Sequence, residues 1–495
     1  MTNDNENTPT LNIAGALDLS PSPERAPINI ADHYGHYING KRVAGRAEDV
    51  FETTNPATGE VLATIATADE AEVNLAVKAA RNAYTKVWNP MPASERGKYL
   101  FRIARRLQER GREFAAVETR DNGKPIRETR DVDIPLAAAH FFYYAGWADK
   151  LRYAVPGGAP QSLGVCGQVI PWNFPLLMAA WKLAPALATG NTVVLKPAET
   201  TPLTASILTE IFDEVGLPPG VINIVNGAGS TGAALVNHPD IDKVAFTGST
   251  AVGRHIMRSI AGSGKKATME LGGKGAHIVF ADAALDQAVE GCINGIFFNQ
   301  GHVCCAGSRL LLEESIADTF IERLKRRIEA LRIGDPLDKN TDIGAINSQE
   351  QYNTIQKYIK IGVDEGADMW QGSACAVPDN GLFIKPTLML GVQQSDTIVR
   401  EEIFGPVLSV LTFRTPAEAV KKANDSEYGL AAGVWSEKTS KLYETAHALN
   451  AGVVWANGYN LFDPASPFGG IRHSGFGREG GIAGLWPYLN TEASS

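Results

Sequence analysis

Cysteine and histidine are too scarce in this sequence to build a disulfide framework or a clustered metal site. The 495 residues include five cysteines and nine histidines. They form neither a C-x₂-C pair nor an H-E-x-x-H motif, so the sequence predicts no metal site. A small, odd number of cysteines is typical of a reduced compartment, which predicts a cytoplasmic protein.

Long apolar runs and excess positive charge are also missing. No stretch reaches about 18 uncharged apolar residues, the length that a membrane-spanning helix needs. The formal net charge is −9 at pH 7, whereas nucleic acids and anionic membranes favour basic patches. We therefore expect neither as a partner. Residues 1–30 have no lysine or arginine before their mildly apolar patch, which predicts a disordered leader and not a signal peptide.

Patterns typical of strands and helices alternate along most of the chain. β-branched runs at 192–196 and 243–246 predict strands, and the apolar spacing at 176–187 and 203–214 predicts helices. The alternation resumes after Glu270, with predicted strands at 276–280 and 407–413 and a helix at 316–331. This order predicts an α/β fold of βαβ units with parallel sheets. At 495 residues, about two to four domains are expected.

Two adjacent cysteines, Cys304 and Cys305, lie among glycines and other small residues. A thiol becomes a nucleophile when its pKa is lowered and a base completes the reaction. Glu270, directly before Leu271-Gly272-Gly273, is a candidate general base. From the residues alone, either cysteine could be the nucleophile, and Glu270 could instead cap the backbone of a turn. A cysteine and a carboxylate without a metal cluster indicate covalent acyl chemistry.

Two loops could bind a dinucleotide phosphate. The segment 227–232 follows a predicted strand and fits G-x-G-x-x-G, a pattern that is weak when it occurs once. The segment 246–250, Phe-Thr-Gly-Ser-Thr, also lies between a strand and a helix. Both would direct backbone N–H groups and a helix N-terminus toward an anion.

Six motifs, in this order, resemble those of the NAD(P)-dependent aldehyde dehydrogenase superfamily. The resemblance covers nearly the whole chain after residue 35. The motifs are Pro171-Trp172-Asn173-Phe174-Pro175, Val194-Leu195-Lys196-Pro197-Ala198-Glu199, Phe246-Thr247-Gly248-Ser249-Thr250, Glu270-Leu271-Gly272-Gly273-Lys274, Glu401-Glu402-Ile403-Phe404-Gly405-Pro406 and Pro467-Phe468-Gly469-Gly470.

The resemblance implies an aldehyde-dehydrogenase-like fold with two doubly wound α/β domains and a small β bridging element. The NAD-binding domain is expected at 31–148 and 163–270, and the catalytic domain at 271–485. The bridging and oligomerisation element is expected at 149–162 and 486–495. This element implies a homodimer, although the projecting hairpin that we predict at 151–161 is several residues shorter than in common tetrameric relatives.

Three catalytic roles follow from the resemblance. Cys304 stands where the family has its nucleophile, 34 positions after Glu270 (304 − 270 = 34), which leaves Cys305 as a packing neighbour. Glu270 would activate the water that hydrolyses a thioester. Asn173, which could otherwise be an ordinary turn residue, would stabilise the alkoxide together with the backbone N–H of Cys304.

The resemblance also implies NAD as the cofactor. Lys196 and Glu199, otherwise a solvated surface pair, would hold the adenosine ribose, and the carboxylate would repel a 2′-phosphate. Glu402 and Phe404 would position the nicotinamide ribose, unless Glu401 and Glu402 form only an exposed charge pair. The expected cofactor-binding residues are Ile170, Trp172, Lys196, Glu199, Gly229, Gly248, Ser249, Leu271, Gln351, Glu402 and Phe404.

The resemblance further implies an apolar tunnel that admits the aldehyde. Taken singly, its aromatic residues are more typical of a core. Without a charged anchor, such a tunnel favours medium aliphatic or aromatic aldehydes. The expected lining residues are Phe174, Met178, Trp181, Val303, Phe462 and Phe468.

Position 302 departs from the family pattern, because His302 replaces the usual Gln or Glu beside the nucleophile. A neutral histidine there would be a simple isostere, whereas a titrating one would tune the Cys304 thiolate near pH 6 to 7. We hypothesise the neutral role.

The sequence thus predicts an enzyme that oxidises an aldehyde to a carboxylic acid with NAD. One alternative is a relative that transfers the acyl group to coenzyme A, against which Glu270 argues. The other is a non-catalytic family member that acts as a binding or structural partner.

Overall fold

The computed structural model describes residues 28–46, 48–155 and 160–490. Most of the predicted leader (1–27), residues 156–159 of the predicted hairpin and the polar terminus 491–495 lie outside these residues. Residues 28–30 do not belong to a free leader, because Ile28 and Ile30 pack against the hydrophobic core.

Short strands and medium-length helices follow one another along the described chain. The strands are β1 (His33–Tyr34), β2 (His36–Ile38), β3 (Lys41–Val43), β4 (Val50–Thr54), β5 (Val61–Ala66), β6 (Gln161–Ser162), β7 (Val165–Val169), β8 (Thr192–Lys196), β9 (Ile222–Ile224), β10 (Lys243–Thr247), β11 (Lys266–Glu270), β12 (Ala276–Val279), β13 (Arg309–Glu313), β14 (Asp368–Gln371), β15 (Thr387–Leu390), β16 (Val407–Phe413), β17 (Ala431–Trp435), β18 (Val453–Ala456), β19 (Gly475–Phe476) and β20 (Leu489–Asn490).

The helices mostly connect parallel strands. They are α1 (Glu70–Ala83), α2 (Ala93–Glu109), α3 (Gly111–Asn122), α4 (Ile126–Glu128), α5 (Ile134–Trp147), α6 (Leu151–Ala154), α7 (Pro175–Ala188), α8 (Leu203–Glu214), α9 (Gly229–Asn237), α10 (Thr250–Ile260), α11 (Leu285–Phe297), α12 (Ala317–Glu329), α13 (Gln349–Asp364), α14 (Thr397–Arg400), α15 (Pro416–Asn424) and α16 (Thr439–Ala448).

An eight-stranded sheet in the order β19-β11-β10-β7-β8-β9-β2-β3 forms the first half of the molecule. Strands β11, β10, β7, β8 and β9 are parallel. The central strand β8 is buried throughout, which explains its continuous Val- and Leu-rich sequence. Because parallel strands end at one edge, the loops after β7, β10 and β11 meet there. The segments around Asn173, Gly248 and Glu270 follow these three strands.

A second sheet has seven strands in the order β14-β15-β16-β13-β12-β17-β18. All of its strands come from residues 276–313 and 368–456. The loop that carries Cys304 joins α11 to β13. Strand β19 crosses from this half of the chain and pairs antiparallel with β11, opposite Glu270. Strand β19 therefore links the two halves of the chain. The division into domains remains a prediction.

The predicted hairpin at 151–161 is wrong for the residues that the structure describes. Residues Leu151–Ala154 form the short helix α6, and the indole of Trp486 donates a hydrogen bond to the Ala154 carbonyl. This helix buries Ala154 against the C-terminal segment, which a projecting hairpin would not do. The following strand β6 pairs antiparallel with β20, so the two expected bridging segments do meet.

No helix among the described residues combines the length and the apolar character needed to cross a membrane.

Candidate active site

The predicted catalytic and tunnel residues all line one cavity of about 280 Å³. The cavity lies where the carboxyl ends of β7, β10 and β11 face the Cys304 loop. Its walls include Cys304, Glu270, Asn173, Phe174, Met178, Trp181, Val303, Phe462 and Phe468, and seven of the expected cofactor residues, Trp172, Gly248, Ser249, Leu271, Gln351, Glu402 and Phe404.

Four expected cofactor residues lie outside the cavity wall but on the same sheet edge. Lys196 ends β8, and its Nζ is 3.2 Å from the Glu199 carboxylate. Ile170 follows β7 and donates its backbone N–H to the Lys196 carbonyl. Gly229 is the first residue of α9. They could therefore contact a ligand that extends along this edge from the cavity.

The two glycines after Glu270 allow the turn to approach the nucleophile loop. A Cβ on Gly273 would lie 2.3 Å from the Cys304 carbonyl oxygen, and one on Gly272 would lie 2.1 Å from a Glu402 carboxylate oxygen. Both distances are far below van der Waals contact. Glycine is required here because the Glu270 turn, the Cys304 loop and Glu402 lie in direct contact.

Glu270 is buried and has no hydrogen-bond partner for either carboxylate oxygen. Burial raises its pKa well above the usual range, and the nearby Glu479 raises it further. A carboxylate held in this way accepts a proton readily once it is ionised. The geometry therefore suits a general base and does not suit the alternative role of capping a turn.

Glu479 and Lys182 form a buried ion pair beside Glu270, which the sequence analysis missed. Lys182 also donates to the Thr247 hydroxyl at 2.6 Å, and Glu479 lines the cavity. Lys182 partly offsets the rise in the Glu270 pKa. Nothing local in the sequence signals this pair, because its members are 297 residues apart.

Cys304 is half-buried, whereas Cys305 is buried. The Cys305 thiol lies 3.7 Å from the Asn460 side-chain oxygen. The contact with Cys305, together with burial and Glu402, raises the pKa of Cys304 well above its usual range. In the protein alone Cys304 is therefore a neutral thiol, and the expected lowering of its pKa is not provided by a neighbouring cation.

Asn173 lies in the turn between β7 and α7, held against the nucleophile loop. Its side-chain amide donates to the His302 carbonyl at 2.9 Å. Asn299 returns the contact by donating to the Asn173 carbonyl at 2.8 Å. Since an amide nitrogen has two hydrogens, the second N–H of Asn173 remains available for an oxyanion in the cavity.

Tyr459 supports the nucleophile loop from the opposite side. Its hydroxyl donates to the Cys305 carbonyl at 2.8 Å. Its ring fills a slot whose walls approach too closely for side chains: a Cβ on Gly433 would lie 2.6 Å from the ring, and one on Gly275 would lie 2.8 Å from its hydroxyl. This contact was not predicted, and only the glycine content of the surrounding segments hinted at it.

The helix N-terminus at Ser249 faces the cavity. Ser249 caps α10 by accepting a hydrogen bond from Val252 N, and Gly248 and Ser249 line the wall. In contrast, a Cβ on Gly227 would lie 2.1 Å from the Thr231 hydroxyl, so the G-x-G-x-x-G loop packs tightly on its own helix. Since Gly248 and Ser249 line the cavity and Gly229 does not, the N-terminus of α10 is better placed for a phosphate bound there.

Glu402 and Gln351 shape the other end of the cavity. Burial raises the pKa of Glu402 to about 7, and one of its oxygens accepts from Gly273 N at 3.1 Å. Gln351 donates to the carbonyls of Ile403 and Phe404. It therefore supports the Phe404 backbone, whose φ is +57°, and is not free to bind a ligand through that amide.

The expectation of a tunnel without charged residues is wrong. Asp133 and Glu479 line the cavity together with the aromatic residues. Both carboxyls are countered by buried lysines. Asp133 pairs with Lys124, nine residues away, and Glu479 pairs with Lys182, 297 residues away. The remaining wall is aromatic, with Trp181 in ring contact with Phe462 and Phe468.

His302 is buried behind the cavity between two aromatic rings. Its centroid is 4.8 Å from that of Trp172 and 5.8 Å from that of Phe404. Neither ring nitrogen has a hydrogen-bond partner, and burial lowers its pKa to about 3. The neutral role that we hypothesised agrees with this environment.

Comparisons with known proteins place the chain in one family. The family model described as the aldehyde dehydrogenase family matches residues 43–493. The chain is 46% identical over 471 residues to an aldehyde dehydrogenase of Alternaria alternata, covering 93% of this chain and 95% of that protein. It is 46% identical over 492 residues to the mitochondrial aldehyde dehydrogenase of Homo sapiens, covering 97% and 94%.

Solved structures agree. The NAD⁺ complex of an aldehyde dehydrogenase from Bacillus cereus matches with a TM-score of 0.90 and 42% identity, covering 93% of this chain and 96% of that chain. The protein is an enzyme of the aldehyde dehydrogenase class, and the expected α/β fold is confirmed. The chain belongs to the aldehyde dehydrogenase family.

Replacing His302 by Gln tests its neutral role. Because the pKa of His302 lies near 3, the kcat/KM profile should be unchanged between pH 6 and 8. The free energy of unfolding, unlike kcat/KM, should depend on pH differently in the variant and in wild type. A histidine with a lowered folded pKa stabilises fully above its unfolded value of about 6.5, and this contribution is lost as the pH falls below it. The variant should therefore lose less stability than wild type between pH 7 and 5. A shifted acidic limb in the kinetic profile would contradict the neutral role.

Replacing Tyr459 by Phe tests the support of the nucleophile loop. Loss of one buried hydrogen bond should cost about 1–2 kcal/mol of unfolding free energy and lower kcat several-fold. Tyr37→Phe is the matched control, since the buried Tyr37 also donates one hydrogen bond, to Asp213 at 2.7 Å, but does not line the cavity. Equal losses of kcat in both variants would contradict a specific role of Tyr459 in supporting the Cys304 loop.

Proposed function

We propose that this protein oxidises an aldehyde to a carboxylic acid with NAD through a covalent intermediate on Cys304. The observation that carries the proposal is the meeting in one cavity of Cys304, the unpartnered Glu270 and the Asn173 amide. The family membership supports aldehyde oxidation, and the Bacillus cereus relative binds NAD⁺.

The residues present fit a nicotinamide dinucleotide. The N-terminus of α10 at Ser249 would hold the pyrophosphate, and Lys196 with Glu199 would hold the adenosine ribose hydroxyls. Glu402 and Phe404 would lie at the nicotinamide end, with Trp172 in ring contact with Phe404. When bound, NAD supplies the acceptor for the hydride. The exposed Glu199 carboxylate favours NAD over NADP because it repels a 2′-phosphate.

The first half of the reaction forms a thioester. The thiol proton of Cys304 passes to solvent, and the sulfur bonds to the aldehyde carbon. Asn173 and the backbone N–H of Cys304 stabilise the resulting alkoxide, a contribution of about 3–4 kcal/mol per donor in comparable sites. The alkoxide re-forms a carbonyl as hydride leaves the same carbon, so the aldehyde is oxidised to the acyl level.

The second half hydrolyses the thioester. Glu270 takes a proton from water, and the hydroxide attacks the acyl carbon. The carbon–sulfur bond breaks, Glu270 gives its proton to the Cys304 thiolate, and the acid departs. The raised pKa of Glu270 matches this role, because a base whose pKa approaches the working pH transfers protons most effectively.

The homodimer and the cytoplasmic location remain predictions.

A panel of aliphatic and aromatic aldehydes, assayed for NADH formation, tests the proposed reaction. Formation of acyl-CoA when coenzyme A is added would favour acyl transfer instead. Binding of NAD without oxidation of any aldehyde would favour a non-catalytic role.

Replacing Glu270 by Gln should separate the two half-reactions. Gln matches the shape of the buried carboxyl, so the fold and hydride transfer should persist, with a burst of about one NADH per site. Steady-state turnover should fall by about 10²-fold or more, since general base catalysis contributes 10²–10⁴. Rapid-quench and steady-state kinetics measure both. A steady-state rate equal to that of wild type would remove Glu270 from the mechanism.

Replacing Glu199 by Gln should weaken the preference for NAD. Removing one carboxylate next to the ribose should narrow the ratio of kcat/KM for NAD over NADP by about tenfold, or 1.4 kcal/mol. Glu322→Gln is the matched control, because Glu322 forms a similar i, i+3 pair with Lys325 on the exposed face of α12. An unchanged ratio in Glu199→Gln would mean that another group selects the cofactor.

A further inference from the structure

Four ionisable residues form a buried cluster behind the tunnel wall that the proposed mechanism does not use. Glu118, Lys124, Glu128 and Asp133, which we call the anchor cluster, have exposed fractions of 0, 0, 4 and 0%. All four come from the short stretch of α3, α4 and the turn before α5. Burying four such groups costs free energy unless each has a partner. What matters is therefore which backbone and side-chain groups they contact.

Part of this stretch holds the Asn173 turn from both sides. Glu118 accepts a hydrogen bond from Leu176 N at 3.1 Å, in the first turn of α7. Asn122, four residues further along α3, donates to the Trp172 carbonyl at 2.6 Å. These two backbone groups flank Asn173, so α3 sets the position of the proposed oxyanion donor.

Another member holds the nucleophile loop. Glu128 accepts from Asn299 N at 2.9 Å. Asn299, Gln300 and Gly301 have φ of +48°, +52° and +78°, a left-handed run that is unfavourable for two non-glycine residues. The Glu128 hydrogen bond stabilises this unusual turn, which directly precedes Cys304.

Lys124 links the two halves of the cluster to the tunnel wall. Its Nζ is 2.5 Å from an Asp133 carboxylate oxygen. It also lies 3.9 Å from the centroid of the Phe174 ring, a distance at which a desolvated ammonium interacts favourably with an aromatic face. Asp133 and Phe174 both line the cavity. The Lys124 ammonium therefore contacts two side chains of the tunnel wall.

The raised pKa values of its carboxyls keep the cluster close to neutral. Burial raises the pKa of Asp133, and Lys124 lowers it. Burial raises the pKa of Glu118 to about 8, with Asp133 raising it and Lys124, Leu176 N and Thr204 lowering it. Burial also raises the pKa of Glu128 to about 8, with Asp133 raising it and Lys124, Asn299 N and Arg127 lowering it.

We propose that the anchor cluster positions the Asn173 turn and the Cys304 loop relative to each other, and so sets the distance between the oxyanion donor and the nucleophile. Its members are positioning residues, since they act on the reacting atoms through the backbone of two separate loops. The inference rests on the proposed function, because only a reaction that uses both loops depends on their separation.

The central experiment compares Glu118→Leu with Asp121→Leu. Asp121 is an equally buried carboxylate on the same helix, and it also accepts from a backbone N–H at a helix start, Leu203 N at 2.9 Å. That helix, α8, does not line the cavity. Both variants should lose stability, but only Glu118→Leu should lower the NADH burst rate, by about tenfold to 10²-fold, as expected for small misplacements of reacting groups. The Kd for NAD should be unchanged in both.

Glu118→Gln provides a conservative rescue and a pH test. Gln keeps an acceptor for Leu176 N, so the burst rate at pH 7 should match wild type within about threefold. In the wild type, burial raises the pKa of Glu118 to about 8, so this carboxyl becomes charged as the pH rises from 7 to 9.5, whereas Gln stays neutral. A charge buried there disturbs the Asn173 turn, so the burst rate of Glu118→Gln relative to wild type should increase over this range. A constant ratio would contradict a neutral Glu118 at pH 7.

Glu128 gives an independent test on the nucleophile loop. Glu128→Gln retains an acceptor for Asn299 N and should keep the wild-type burst rate, whereas Glu128→Leu should lower it about tenfold or more. If Glu118→Leu or Glu128→Leu fails to fold, the two Gln variants still decide the matter. A Gln variant that folds but loses about tenfold or more of the burst rate at pH 7, or Glu118→Gln with a wild-type pH profile, contradicts the proposal. Wild-type protein that forms no NADH with any aldehyde would refute the proposed function, whereas an active wild type with unaffected Leu variants would refute only this inference.

Discussion

The close contact between the Glu270 turn and the Cys304 loop is the constraint on which the rest of the site depends. Gly273 lies so near the Cys304 carbonyl that a Cβ would come within 2.3 Å of that oxygen. Beside this contact, Glu270 is buried and both of its carboxylate oxygens lack a hydrogen-bond partner. The close packing of the two backbones therefore brings a desolvated carboxyl, the candidate base, next to the loop of the candidate nucleophile.

Buried charge is distributed so that this site stays intact. Lys182 pairs with Glu479 on the Glu270 side, and Lys124 pairs with Asp133 on the Asn173 side. Each lysine balances a carboxyl in the cavity wall, which allows an otherwise aromatic tunnel to include acidic residues. Because a buried unpaired charge is very costly, each pair also fixes the elements that carry it.

Local patterns predicted much of the fold. The strands at 192–196 and 407–413 and the helix at 203–214 have the predicted ends, because β-branched runs and apolar spacing there are bounded by clear turn residues. The hairpin at 151–161 was wrong in a segment where α6 contacts Trp486, 332 residues away. Glu479 and Tyr459 escaped prediction for the same reason, since their partners Lys182 and Cys305 are 297 and 154 residues away.

The sequence by itself determined the family, the alternation of strands and helices and the choice of Cys304, Glu270 and Asn173 as candidate catalytic residues, because these are properties of short motifs and their spacing. Only the tertiary structure decided the chemical state of those groups. The neutral thiol of Cys304, the raised pKa of Glu270 and the neutral ring of His302 follow from burial and from neighbours brought together by folding. Desolvation and charge pairing depend on three-dimensional distance, which a linear motif does not contain.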